Sequence, residues 1–104
     1  METFPIGAPR DDERLESKRT FEVGGVTLEI GTGFLKAGTR MPDQGNSRHP
    51  KREITLILEG EITTVSGNRT RKLRAGDIVT IPPGQEQHTV VHRDTSLLWM
   101  FFGT

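Results

Sequence analysis

His49, His88 and His92 are the only imidazoles in a chain that contains neither cysteine nor tyrosine. The lack of cysteine rules out thiolate nucleophiles, thiolate metal ligands and disulfide staples. Imidazole and carboxylate together suit first-row transition metals, and two histidines with one carboxylate can hold such an ion with coordination positions left open. His88 and His92 lie four residues apart. On a helix they would share one face; on a strand, at about 3.3 Å per residue, they stand ~13 Å apart, too far to share an ion. Which histidines can cooperate therefore depends on the elements that carry them.

Those elements read as strands. Thr20–Val23 and Val26–Ile30 flank Gly24-Gly25, a hairpin signal. Thr32–Lys36 is a further short strand, and Ala37–Arg52, with its Gly, Pro, Asn, Asp and Ser, reads as a loop. A loop that long in so small a domain is usually functional. Ile54–Glu59 and Glu61–Val65 follow, broken at Gly60; Gly67-Asn68 then turns the chain into Thr70–Leu73. Asp77–Ile81 ends at Pro82-Pro83-Gly84, and His88–His92 and Ser96–Phe102 complete the chain. No segment keeps a helical period over about 11 residues. Eight or nine short strands at this spacing make an all-β sandwich or barrel. Residues 1–17 are polar and include the run Arg10-Asp11-Asp12-Glu13-Arg14; they form an expected N-terminal arm, loose or added to a partner's sheet, ahead of a barrel over 18–104.

Length and charge narrow the function. The chain has 104 residues, 32% of them hydrophobic, enough for one domain with a modest core. One face of Glu53–Glu59 carries Glu53, Thr55, Ile57 and Glu59, the other Ile54, Leu56 and Leu58. Leu97–Phe102 is apolar on both faces. This surplus predicts a homodimer interface, with a second sheet or the N-terminal arm as the alternative cover. Fourteen basic and fourteen acidic residues cancel, so no field draws the protein to nucleic acid or an anionic membrane. The basic cluster Arg69, Arg71, Lys72 and Arg74 reads as a charged strand edge; Arg48, Lys51 and Arg52 could hold an anionic substrate. Leu97–Phe102, the longest apolar run, falls far short of the ~20 residues of a membrane helix. The first residues lack the pattern of a secretory signal, so a soluble, cytoplasmic protein is expected.

Two segments carry a family resemblance. Ser47-Arg-His49-Pro-Lys-Arg-Glu53-Ile-Thr-Leu-Ile-Leu-Glu-Gly60 and Gly76-Asp-Ile-Val-Thr-Ile-Pro82-Pro-Gly84-Gln-Glu-Gln-His88 resemble the two cupin motifs. The resemblance implies an all-β double-stranded β-helix, or jelly-roll barrel, with a site inside it. Cupin enzymes usually hold a divalent metal through three histidines and a glutamate. Here the first histidine is replaced by Ser47, and an extra residue after Gly84 puts Gln87 at the expected position of the last one, with His88 next. The ligand set implied is His49, Glu53 and His88, holding Fe, Mn, Ni or Zn, if His88 points inward with Val90 and His92. The alternative parity brings Gln87 inward with Thr89 and Val91. A bulge in the turn that absorbs the extra residue favours His88.

The first motif's opening loop is also three residues longer than the family's, placing Gln44 six residues after Gly38. Gln44 is expected to replace the lost ligand or, with Gln87, to orient substrate, while Arg48 or Arg40 pairs with a carboxylate. Glu53 could instead be a structural partner of Arg48 or Arg52, with His49 facing solvent. Two functions follow from the resemblance. One is a metal-dependent enzyme on a small organic molecule, of dioxygenase, isomerase, lyase or cyclase type. The other is a metal-free barrel that binds a small ligand without catalysis. The sugar-nucleotide epimerases of the class typically use a His–Tyr pair and do not fit a chain without tyrosine.

Overall fold

The computed structural model describes residues 1–7 and 15–104; the charged run Arg10–Arg14 lies outside the described residues. Seven strands follow in order: β1 (Leu15–Val23), β2 (Val26–Leu35), β3 (Arg40–Met41), β4 (Arg52–Ser66), β5 (Arg69–Arg74), β6 (Ile78–Ile81) and β7 (Gln87–Gly103). Neighbours pair antiparallel along the path β1-β2-β7-β4-β5, with β3 added to β7 and β6 to β4.

The count is lower than the sequence expectation because three pairs of short strands are each one long strand (β2, β4 and β7), while the short β3 falls within the stretch expected to be a loop. Gly60 does not end β4 but bends it. Its φ of 110° is open to glycine and strained for other residues, and the β4–β7 register shifts on both sides of it. The fully buried Thr95 stitches this corner: its Oγ1 accepts the Glu61 N–H (3.2 Å) and donates to the Arg93 carbonyl (2.8 Å). Strands β4 and β7 therefore each serve both faces of the barrel. The first half of β4 pairs with β6 and the end of β7, and its second half pairs with β5 and the start of β7. This shared pair of bent strands closes the jelly roll. The hairpin strand β1 also starts earlier than expected, at Leu15, and its first residues pair with this chain's own β2.

Strand parity sorts the side chains. Directly opposed residues share a face, so Thr55 with Trp99 and Ile57 with Leu97 point inward from one end of the long pair, and Ile62 with Val91 from the other. With Leu35 and Leu73 they form most of the buried core. The outer face of the first end is also apolar: Leu28 opposes Phe102, Ile30 and Ile54 oppose Met100, and Leu98 and Ile78 oppose Leu56. Phe4 packs on Phe21 at its β1 side, with the Arg19 guanidinium above the Phe4 ring. Leu58 and Ile78 remain 42% and 64% exposed.

Candidate functional site

The inward faces of β4 and β7 leave a cavity of about 280 Å3. Its deep end is the buried Leu35, Ile62, Leu97 and Trp99; Ser47 and Arg48 are exposed at its opening. Period-two alternation sends Glu53 and Thr55 into it from β4, opposite Phe101 and Trp99 of β7. Gln87 and Thr89, opposite Ser66 and Thr64, enter from the other end, where the Thr64 and Thr89 hydroxyls hydrogen-bond at 2.8 Å. The Gln87 amide Nε2 donates to Glu53 Oε1 at 3.0 Å, and the Thr55 hydroxyl donates to Glu53 Oε2 at 3.3 Å. Glu53 and Gln87, 34 residues apart in sequence, thus pair within a largely apolar chamber.

His49 also lines the cavity. Its ring lies parallel to that of Phe101, with centroids 3.6 Å apart. The backbone N–H of Lys51 donates to His49 Nδ1 at 3.1 Å, and the Lys51 carbonyl lies farther off, at 3.4 Å. With Nδ1 acting as acceptor, the ring proton resides on Nε2.

His88 is the principal correction to the sequence reading. It lies outside the set of residues that bound the cavity, and its Nδ1 pairs with Asn46 Oδ1 at 2.8 Å. The cause is an isolated two-residue bridge. Ser47 N–H donates to the Gln87 carbonyl (2.8 Å) and Gln87 N–H donates to the Ser47 carbonyl (2.9 Å), which pins Gln87 beside Ser47. The extra residue is taken up before this point, in the 82–86 turn, so β7 starts with Gln87 inward. Val91 follows it into the core at 2% exposure, while Val90 is 37% exposed.

The remaining expectations divide. Arg48 stands at the mouth but pairs with Glu86 at 2.7 Å. Arg40 donates to the Pro42 carbonyl, and neither it nor the exposed Gln44 lines the cavity. Arg52 donates to Thr80 Oγ1, so neither arginine suggested for Glu53 reaches it. His92 is exposed and bonds Thr63. Thr64, Trp99 and Phe101 are site residues that the sequence reading does not single out; alternation assigns each to one face of its own strand, and only the β4–β7 pairing turns those faces into the cavity.

The donor set does not fit a transition metal. Metal-bound imidazoles normally present a lone pair to the ion and donate the other N–H to an acceptor; His49 has the reverse arrangement, its Nδ1 accepting. Only one imidazole and one carboxylate face the cavity, and among the described residues no group of three His, Asp or Glu side chains is arranged to hold an ion.

Residues 34–102 match the cupin domain family, and the chain belongs to it. Among solved structures it is similar to the DMSP lyase DddQ from Ruegeria pomeroyi (29% identity over 73% of this chain and 38% of the lyase, TM-score 0.66). It also resembles a conserved protein of unknown function from Streptococcus pyogenes (19% identity, 88% of this chain, 75% of that one, TM-score 0.67). A third likeness is to salicylate 1,2-dioxygenase from Pseudoaminobacter salicylatoxidans in complex with gentisate (20% identity, 71% of this chain, TM-score 0.64). The chain spans 38% of the lyase and 20% of the dioxygenase. At this identity the last two likenesses speak to the fold alone. No curated protein sequence matches it. Among the described residues no helix is long and apolar enough to cross a membrane, which leaves membrane-spanning strands unaddressed.

Proposed function

We propose that this cupin binds a small organic molecule inside the barrel without a coordinated metal, through Glu53, Gln87 and His49, with Arg48 at the entrance. The observation that carries the reading is the 280 Å3 largely apolar cavity with the Glu53–Gln87 pair inside it. Ligand sites are concave, largely apolar and equipped with a few converging polar groups. The space corresponds to roughly nine water molecules at about 30 Å3 each, so the ligand is a small metabolite and not a nucleotide or an oligosaccharide.

The chain's own residues can do four things for such a ligand. Glu53 accepts a hydrogen bond or faces a positive charge, and Gln87 keeps the carboxylate oriented. His49 offers its Nε2 proton, held in that tautomer by the Lys51 amide. Trp99 and Phe101 supply aromatic wall and help exclude water. The metal-dependent reading needs His49, Glu53 and His88 around one ion; the outward position of His88 and the tautomer of His49 weigh against it. The apolar outer face of the sheet supports association as a homodimer, and we place the protein in the cytoplasm.

Metal content and ligand response test the function together. Protein purified without added metal, and the same protein after exposure to Fe, Mn, Ni or Zn and desalting, is expected to carry far less than one equivalent per chain. Its melting temperature should be unaffected by chelator. A small-molecule screen should raise that temperature; a ligand at about a hundred times its Kd adds about 2.7 kcal/mol. About one equivalent of metal per chain, lost in His49→Ala, would overturn the metal-free reading.

A further inference from the structure

The charge balance of the cavity narrows its ligand. Glu53 is a part-buried carboxylate whose two hydrogen-bond partners, Gln87 and Thr55, are both neutral. Among the described residues no basic side chain pairs with it. Arg48, the one basic Arg or Lys side chain lining the cavity among the described residues, is neutralised by Glu86, and Arg52 reaches Thr80. A carboxylate in an apolar chamber is costly without a counter-charge, and attraction to one strengthens as water is excluded. An anionic ligand would add a second negative charge to the same space.

The walls point the same way. Trp99 and Phe101 both line the cavity, with ring centroids 5.1 Å apart, and the His49 ring covers one face of Phe101. Aromatic faces attract cations, tryptophan most strongly, and quaternary ammonium groups are recognised in this manner.

Resting on the small-molecule reading above, we infer that the ligand is a small organic cation, an ammonium or other onium group on an apolar body, with its charge facing Glu53 and the indole of Trp99 and its body against the apolar wall. Recognition requires no covalent step.

Trp99, the only tryptophan in the chain, lies in the cavity wall and reports binding by its emission. Benzyltrimethylammonium, uncharged benzyl alcohol and anionic phenylacetate are titrated into the unaltered full-length chain and into Glu53→Gln, with far-UV circular dichroism checking the variant's fold. The cation should bind the unaltered chain at least about tenfold more tightly than either other probe, and Glu53→Gln should erase that preference. The charge series on the unaltered chain is a test in its own right, whatever the variant's folding. Tighter binding of phenylacetate or benzyl alcohol overturns the cation assignment and leaves the small-molecule cavity standing, as does an undiminished preference in folded Glu53→Gln. If no probe alters either the Trp99 emission or the melting temperature, the small-molecule reading falls with it.

Discussion

Replacing Gly31 by alanine tests how the cavity wall is held. Gly31 lies directly opposite Trp99 across the β2–β7 pair. A Cβ built on it would fall inside the contact distance of the Trp99 indole, at Cζ2 and Cε2, and of the Glu16 carbonyl oxygen on β1. The φ of Gly31 is not in the left-handed region, so the obstacle is space and not backbone conformation. The carbonyl belongs to a paired strand and yields little, so the indole must move. Movement threatens the hydrogen bond from Trp99 Nε1 to the Thr32 carbonyl, 2.9 Å and buried. Overpacking costs about 1–3 kcal/mol, and a lost hydrogen bond about 0.5–1.5 kcal/mol. Alanine recovers roughly 0.5–1 kcal/mol through its smaller backbone entropy loss in a strand. The expected net loss is about 2 kcal/mol, or roughly 8–16 °C in melting temperature for a domain of this size. Urea unfolding followed by circular dichroism and by Trp99 emission measures both the loss and the ring's displacement. Stability within about 0.5 kcal/mol of the parent, with unshifted emission, would refute the packing argument.

Two further outcomes are expected. The hydrogen bond from Lys72 holds the Glu61 carboxyl below its ordinary range; the charges of Lys72, Arg74 and Arg93 add to this, and desolvation opposes it. A depressed carboxyl stabilises the fold above its unfolded value near pH 4.3, a contribution lost as the pH falls through the folded value. Lys72→Met should therefore flatten the acid limb of the stability profile below about pH 4.3 and raise the Glu61 midpoint measured by NMR; an unmoved midpoint would contradict it. For the outer sheet face, Leu58→Lys combined with Ile78→Asp should convert a dimer to a monomer in sedimentation equilibrium without loss of strand content. A parent protein that is already monomeric at about 100 μM would remove the homodimer reading.

The all-β class, the hairpin at Gly24-Gly25 and the inward turn of Glu53, Thr55 and Ile57 were legible in the sequence. Turn residues and period-two alternation are local properties, and the cupin motifs added the barrel. Two things were not local. Gly60 and the threonine at 95 meet only when β4 and β7 pair, so nothing nearby in sequence distinguishes a break at Gly60 from a bend in one continuous strand. The choice between Gln87 and His88 depended on a single-residue register. A bridge to Ser47, 40 residues earlier, set it, and one step along a strand exchanges the inner and outer faces. That step replaced a second imidazole with an amide beside Glu53, and with it changed the chemistry of the cavity.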